Sequence, residues 1–225
     1  LISGKDVIAA AGDDCAVIKS HSKDSSTLLK TDSIVESIHY LATDSPQAVG
    51  YKAMARAISD IAAMGGTPQH ALVTLILDPK SKVSYLQSIY QGLSKAALKF
   101  KISIVGGETT RAGKNSRNSI TISMTGTVPK DQCCFRNKGR PGQLLYVTGR
   151  LGGSLKGKHL KFTPRLKEAK WLVRKFKPNA MMDLSDGLAS DLPKLAKASN
   201  CGYEIDLDTL PRSRGSDINS ALSDG

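Results

Sequence analysis

The hydrophobic and polar positions of this chain follow two different periods, which predicts a protein with both strands and helices. Short runs rich in Val, Ile, Leu and Thr are typical of strands, and they occur at residues 15–19, 27–32, 71–77, 102–105 and 119–127. Apolar residues at helical spacing predict two longer helices, at residues 46–64 and 83–101. The first part of the chain is therefore predicted to have the order β-β-α-β-α-β.

The second part of the chain begins after a polar, basic stretch marked by Gly and Pro, "FRNKGRPGQ" at residues 135–143, which is typical of a linker. Beyond it, "LLYVTG" predicts a strand, and "AMMDLSDGL" predicts a strand that runs into a turn. The next segment, "LASDLPKLAKAS", predicts a helix that is interrupted or kinked near Pro193. We expect two α/β domains, residues 1–138 and residues 139–225, of which the second is incomplete.

The end of the first helix carries an acidic residue in an unfavourable place. In "AISDIAAMGGTP" the Gly-Gly pair and the following proline predict the end of the helix. Asp60 lies in the last turn, where the helix dipole is negative and disfavours another negative charge. No Lys or Arg follows Asp60 at helical spacing. The sequence therefore predicts that positive charge reaches Asp60 from elsewhere.

Several acidic residues share this kind of position, at the end of an apolar element and beside Gly, Ser or Thr. They are Asp13, Asp14, Asp32, Asp60, Glu108, Asp183 and Asp186. A single such acid is typical of a helix cap or a turn. The whole set favours a shared site, because oxygen ligands at element ends are what hard divalent cations such as Mg²⁺ prefer, usually together with phosphate oxygens.

The charge balance raises a second possibility. The 225 residues include 32 Lys and Arg against 20 Asp and Glu, a net charge of +12. Nine of the bases lie in residues 156–177, and such a segment attracts nucleic acid or polyphosphate. Apolar residues at helical spacing in that segment, Leu166, Ala169, Val173 and Phe176, favour instead an ordinary helix with a solvated basic face.

Other common sites and locations have no support in the sequence. There is no apolar run of about 18 residues and no secretory signal, so we expect a cytoplasmic protein that does not enter a membrane. The four cysteines lack metal-ligand spacing and are expected to be reduced thiols. Neither GxxxxGK[ST] nor GxGxxG occurs. The pair Gly106-Gly107 in "VGGETT" allows main-chain N–H groups to approach an anion.

Six segments together resemble one family over nearly the whole chain. They are "GDDCAV", "KTDSIVESIHY", "YKAMARAISDIAAMGGTP", "IVGGETTRAG", "FRNKGRPGQLLYVTGRLG" and "MMDLSDGLASDL". Their order and spacing resemble the thiamine-monophosphate kinases, which belong to the aminoimidazole ribonucleotide synthetase superfamily. The resemblance implies a two-domain α/β fold whose N-terminal domain completes a β-barrel across a homodimer. It also implies that the family continues past Gly225 into a "GGEDYEL"-like segment, so that the acceptor site is expected to be incomplete.

The resemblance also assigns residues to a site. The implied magnesium ligands are Asp14, Thr31, Asp32, Asp60, Glu108, Asp183 and Asp186; the implied ATP contacts are Gly107, Arg136 and Ser185; the implied thiamine monophosphate contact is His39. Arg136 as plain linker charge and His39 as a structural residue at a strand end remain open. The sequence departs from the family at Glu108, where Asp is usual, and at Lys30, where Ser is frequent. Lys30 places a cation close to the acids, where it binds phosphate or displaces a metal.

The implied activity is ATP-dependent phosphorylation of thiamine monophosphate to thiamine diphosphate by direct in-line transfer, assisted by several Mg²⁺ ions. The acceptor is already an anionic phosphate, so no catalytic residue apart from the metal ligands is expected. ATP, thiamine monophosphate and a second copy of the chain are the expected partners, without nucleic acid or membrane. The alternatives are another ATP-dependent synthetase of the superfamily and, from the basic charge, a nucleic-acid-binding module whose affinity would fall steeply with salt.

Overall fold

A computed structural model of the chain describes residues 4–113 and 116–224, so the outer limits of the two predicted domains, residues 1 and 225, lie outside it. The strands of the described part are β1 (Val7–Ala9), β2 (Ala16–Lys19), β3 (Ser25–Val35), β4 (Thr67–Leu77), β5 (Ser103–Arg111) and β6 (Ser119–Pro129). The α-helices are α1 (Pro46–Ala63), α2 (Val83–Phe100), α3 (Leu166–Lys175), α4 (Leu188–Ala198) and α5 (Ile218–Ser223). The predicted β-β-α-β-α-β order is confirmed from β2 to β5; β1 is an additional short strand before it, and β6, predicted as the run at residues 119–127, follows it.

The six strands form one sheet in the order β1-β2-β3-β6-β4-β5. Neighbouring strands are antiparallel except β4 and β5, which are parallel and are joined through α2. Parallel neighbours need such a crossover connection. The central pair, β3 and β6, is in register from Ser25↔Pro129 to Val35↔Ser119, and this long pairing holds β3 rigidly beneath α1.

Helix α1 is buried around most of its circumference, because it lies between the sheet, α2 and α3. Its alanines allow close packing, and Ile58, Ile61 and Met64 are fully buried against the sheet with residues such as Leu28 and Ile122. The C-terminal half of α1 is therefore a place of low solvent exposure. Any charged residue there, Asp60 included, loses most of its hydration.

The sheet is not closed into a barrel, because β1 and β5 both remain edges among the described residues. The face turned away from α1 and α2 exposes apolar side chains, including Leu29, Leu72 and, on the edge strand β5, Val105, which is 59% exposed. The barrel expected from the resemblance is therefore not a feature of one chain.

The predicted strands of the second part are wrong. The segments "LLYVTG" and "AMMDLSDGL" have extended or irregular backbone without strand pairing, and Tyr146 is 87% exposed. A strand needs a neighbour for its main-chain hydrogen bonds, and the described part of the chain offers none beside these segments. The first segment was also predicted to follow a linker, but that linker packs on α4: Ser199 Oγ accepts a hydrogen bond from the Gly139 amide, 2.9 Å away.

Two helices of the second part differ in detail from the prediction. Helix α4 continues through Pro193, so it is not interrupted there, and the alternative of a kink at Pro193 stays a prediction. Helix α3 buries Leu166, Ala169 and Val173 as predicted, but Phe176 lies just beyond its end and is 65% exposed. Within the described ranges, the helices are too short or too polar to cross a membrane.

Glycines let α1 and α2 pack closely, which gives a test of the fold. A Cβ atom added to Gly92 of α2 would lie 1.9 Å from the main-chain oxygen of Gln47 on α1. We expect Gly92→Ala to lower the free energy of unfolding by about 2 kcal/mol or more, because the helices must move apart. Denaturant unfolding measures the change. Gly202→Ala is the control, since nothing lies within 4 Å of the added Cβ; equal effects of the two substitutions would contradict the packing.

Candidate metal and nucleotide site

Three buried or half-buried carboxylates from distant parts of the sequence meet beside the C-terminal half of α1. They are Asp14 from the loop after β1, Asp60 from α1 and Asp183 from the segment before α4. One oxygen of each lies within 4.8 Å of the others. We call these three residues the carboxylate triad. Such a set of hard oxygen donors has the chemistry of a site for a divalent cation.

The positive charge that Asp60 needs comes from the sheet. Lys30 of β3 donates a hydrogen bond from Nζ to Asp60 Oδ1, 2.7 Å away. Strand residues alternate between faces, so Lys30 and Asp32 both lie on the α1 side of the sheet together with buried Leu28 and Ile34. Asp60 is only 7% exposed. The pair therefore joins the helix end to the central strands.

One ammonium group does not compensate the charge of the triad. Burial, together with the nearby Asp183 carboxylate, raises the pKa of Asp60 to about 8 despite the contact with Lys30. Burial and the Asp14 carboxylate raise the pKa of Asp183 to about 7, and burial also raises the pKa of Asp14. Like charges held together away from water disfavour ionisation of each one. The triad therefore still lacks positive charge, which a divalent cation would supply.

Other predicted ligands have cationic partners of their own. Asp32 accepts a hydrogen bond from Arg56 Nε at 2.9 Å, and Asp186 accepts one from Lys194 Nζ at 2.7 Å. Arg56 precedes Asp60 by one helical turn on α1, so its charge also acts on Asp60. The structure thus brings Asp32 and Asp186 to the margin of the triad as members of ion pairs.

Arg136 connects the predicted linker to the triad. Its guanidinium binds the Asp14 carboxylate, and its main-chain amide donates to Asp13 Oδ1, 3.0 Å away. Because the Asp14 side chain has no exposed surface, Arg136 closes one side of the site. Arg136 is therefore part of the site's structure, beyond a solvated linker charge.

The segment that carries Asp183, Ser185 and Asp186 is held by an acid that the sequence analysis missed. Asp191, 1% exposed in the first turn of α4, accepts hydrogen bonds at Oδ2 from the amides of Ser185 and Asp186, at 2.8 and 2.9 Å. Lys194 Nζ lies 2.8 Å from its other oxygen. An acid near a helix N-terminus is a recognisable signal, but it does not by itself reveal that the acid fixes the preceding loop.

His39 lies at the margin of this region, in the turn after β3. Its Nδ1 accepts a hydrogen bond from the Val35 amide at 3.0 Å, which leaves the ring proton on Nε2. Burial, together with the charges of Arg56 and Lys52, lowers the pKa of His39, which favours the neutral ring. Buried Lys52 donates to the His39 carbonyl at 2.6 Å and lies 2.7 Å from His159 Nδ1. Sequence analysis overlooked both Lys52 and His159.

Three predicted site residues are not brought to the triad. The Thr31 side chain points to the opposite face of the sheet, where its hydroxyl lies 3.3 Å from Ser123 Oγ. Glu108 is exposed on β5, and its Oε1 accepts a hydrogen bond from the next amide, that of Thr109. Gly107 lies against β4, where an added Cβ would be 1.8 Å from the Val73 main-chain oxygen. The magnesium-ligand roles of Thr31 and Glu108 and the ATP contact of Gly107 stay predictions.

Sequence comparison finds two matching families that cover most of the chain. The profile for AIR synthase related protein, N-terminal domain, matches residues 12–128, and the profile for its C-terminal domain matches residues 143–222. The chain is 38% identical over 212 residues to the thiamine-monophosphate kinase of Rhodopirellula baltica. The matched residues cover 91% of this chain and 66% of the relative. It is 34% identical over 231 residues to that of Buchnera aphidicola subsp. Schizaphis graminum, covering 93% and 69%.

Structural comparison leads to the same proteins. AaThiL complexed with AMPPCP and TMP has a TM-score of 0.87 and 31% identity, over 95% of this chain and 76% of that chain. The thiamine monophosphate kinase of Aquifex aeolicus has a TM-score of 0.83 and 30% identity, over 94% and 79%. The hydrogenase maturation protein HypE of E. coli, at 20% identity, shares the fold. The chain spans about two thirds of the length of the curated relatives.

The raised pKa of Asp60 predicts how stability depends on pH. Between about pH 4 and pH 8 the folded protein holds a proton on Asp60 that the unfolded chain releases, so the free energy of unfolding falls as pH rises through this range. Asp60→Asn removes this titration. We expect the variant, in EDTA at pH 8, to be more stable relative to the parent than at pH 5, by at least about 1.4 kcal/mol, the equivalent of one pKa unit.

Denaturant unfolding at the two pH values measures this difference. Asp24→Asn is the matched control, because Asp24 is exposed in the loop before β3. If Asp60→Asn and Asp24→Asn change the free energy of unfolding equally at both pH values, the pKa of Asp60 is not raised as predicted.

Proposed function

The chain belongs to the thiamine-monophosphate kinase family of AIR synthase related proteins, and from this premise we propose that it transfers the γ-phosphoryl group of ATP to thiamine monophosphate. The products are ADP and thiamine diphosphate. The observation that carries the proposal is the carboxylate triad with Arg136 at its side. Phosphoryl transfer between two polyanions needs concentrated positive charge and alignment, and divalent cations held by the carboxylates, together with Arg136, would supply that charge.

The triad fits Mg²⁺ by its donor set. Asp14, Asp60 and Asp183 offer carboxylate oxygens from three distant parts of the sequence, and burial, together with the neighbouring carboxylates, raises their pKa values. Bound Mg²⁺ would supply charge that neutralises phosphate oxygens. Asp32 and Asp186 are proposed to join once phosphate attracts their partners Arg56 and Lys194. Thr31 and Glu108 remain proposed ligands at a greater distance.

The chain's own residues position the two substrates. We assign the nucleotide phosphates to the side of the triad formed by Arg136 and the Ser185 segment, with Gly107 as a further proposed contact. His39, held by the Val35 amide and by Lys52, is assigned to thiamine monophosphate. An oxygen of the acceptor phosphate forms a bond to the γ-phosphorus while the bond to the ADP oxygen breaks. No side chain needs to remove a proton, because the attacking oxygen is anionic.

A homodimer is proposed from the uncovered side of the sheet. The apolar side chains Leu29, Leu72 and Val105 lie on the face opposite the helices, and within the described part of the chain β5 is an edge strand. A second copy placed against this face would cover both features and complete the expected barrel. A cytoplasmic location remains a prediction of the sequence.

The kinase proposal predicts coupled product formation. We expect ADP and thiamine diphosphate in equal amounts when Mg²⁺, ATP and thiamine monophosphate are all present, measured by chromatography. Asp60→Asn should lower the rate at least about 100-fold, because a misaligned or undercharged site loses transition-state stabilisation. Asp24→Asn should retain the rate of the parent. ADP release without thiamine diphosphate, or a fully active Asp60→Asn variant, would contradict the proposal.

The dimer proposal predicts a change of mass on placing charge in the sheet face. We expect light scattering to give twice the chain mass for the parent, and Leu72→Lys to shift the population to monomer, because the ammonium would be buried without a partner. Leu98→Lys is the control, since Leu98 is 81% exposed on α2, away from this face. A monomeric parent, or a Leu72→Lys variant that stays dimeric, would contradict it.

A further inference from the structure

Lys30 is the cation that enters the carboxylate triad from the rigid side of the site. Its ammonium lies 2.7 Å from Asp60 Oδ1, and its side chain is 20% exposed. It extends from the middle of β3, where Lys30 pairs with Met124 in the long β3–β6 register. The main chain at Lys30 is held in this pairing, so the base of the side chain stays in place beneath the triad.

The charge of Lys30 acts on all three triad carboxylates. It stabilises the ionised forms of Asp14 and Asp183 as well as its direct partner Asp60. Burial lowers the pKa of Lys30, but the Asp60 and Asp32 carboxylates outweigh burial and hold the pKa above its ordinary value. The 2.7 Å ion pair with Asp60 therefore brings the positive charge of Lys30 directly to the triad.

Counting formal charges shows the consequence for a metal ion. In the fully ionised form, which is the form that binds a cation, the three carboxylates give −3, and Lys30 and Arg136 give +2, which leaves the triad and its two ion-pair partners at −1. One divalent cation changes this to +1, an excess of positive charge in a poorly solvated place. A phosphate anion arriving with the cation removes the excess. Without Lys30 the starting charge would be −2, which a single divalent cation neutralises by itself.

We propose that Lys30 makes divalent-cation binding at the carboxylate triad depend on the nucleotide phosphates. The inference rests on the proposed metal site and adds a regulatory role for one residue: the ammonium of Lys30 neutralises part of the triad's charge in the metal-free protein, and the divalent cation binds tightly only together with a polyphosphate. The remaining cations differ from Lys30. Arg56 and Lys194 pair with Asp32 and Asp186, outside the triad, and Arg136 lies on a short turn beside Asp14.

The test is the dissociation constant of Mn²⁺, measured by the electron paramagnetic resonance of the free ion, without and with AMPPCP and corrected for Mn²⁺ bound by AMPPCP in solution. We expect the parent to bind Mn²⁺ weakly alone and much more tightly with AMPPCP. Lys30→Met should bind Mn²⁺ alone on the order of 10-fold to 100-fold more tightly than the parent, because a like charge has been removed beside the ion. The gain from AMPPCP should shrink accordingly.

Three further variants sharpen the comparison. Lys30→Arg keeps the charge and should behave as the parent does. Lys30→Gln removes the charge but keeps a hydrogen-bond donor for Asp60, so it should bind Mn²⁺ alone as tightly as Lys30→Met. It also provides the same test if Lys30→Met folds poorly. Lys95→Met removes the same charge from the exposed surface of α2 and should leave both dissociation constants unchanged.

The parent protein alone gives an independent measurement. Mn²⁺ by itself should leave the thermal midpoint of unfolding unchanged at a concentration where Mn²⁺ with AMPPCP raises it, because only a bound ligand stabilises the folded state. Equal affinity for Mn²⁺ alone in the parent, Lys30→Met and Lys30→Gln would overturn the role of Lys30 while leaving the kinase proposal intact. Absence of Mn²⁺ binding to every variant, with and without AMPPCP, would overturn the metal site and this inference together.

Discussion

The organisation of this protein depends on a carboxylate buried at the unfavourable end of a helix. Asp60 lies where the α1 dipole is negative, where the sheet and neighbouring helices exclude water, and where Asp14 and Asp183 add like charge. Each of these conditions alone would disfavour an ionised acid. Together they leave negative charge at Asp60 that Lys30 compensates in part and that a divalent cation bound with phosphate would compensate in full.

The fold holds these charged residues together through strand pairing and close helix packing. The long pairing of β3 with β6 fixes Lys30 and Asp32, and the close contact of α1 with α2 through Gly50 and Gly92 holds Asp60 in place. The second part of the chain adds the remaining groups with little regular structure of its own, through Arg136 and the Asp191-bound loop. The sheet, the helix contact and the loop contacts therefore hold the charged residues of the candidate site close together.

The elements of the first part could be predicted from sequence, because their hydrophobic periods agree with partners present in the same chain. The strand at "LLYVTG" could not, because strand propensity produces a strand only beside a neighbour. The acids of the triad were predicted from their positions beside Gly and Ser. Lys30 was expected close to these acids from the resemblance, but its contact with Asp60 could not be predicted, because that contact depends on how β3 lies under α1, which spacing along one helix does not reveal.

The central claim, that the carboxylate triad binds a divalent cation together with nucleotide phosphate, is tested most directly by anomalous diffraction. Crystals grown with Mn²⁺ and AMPPCP should show an anomalous peak at about 2.2 Å from carboxylate oxygens of Asp14, Asp60 and Asp183, with phosphate oxygens completing the coordination. Bound AMPPCP with no anomalous peak at the triad, or with its metal ion held elsewhere while these three carboxylates keep their present partners, would contradict the account.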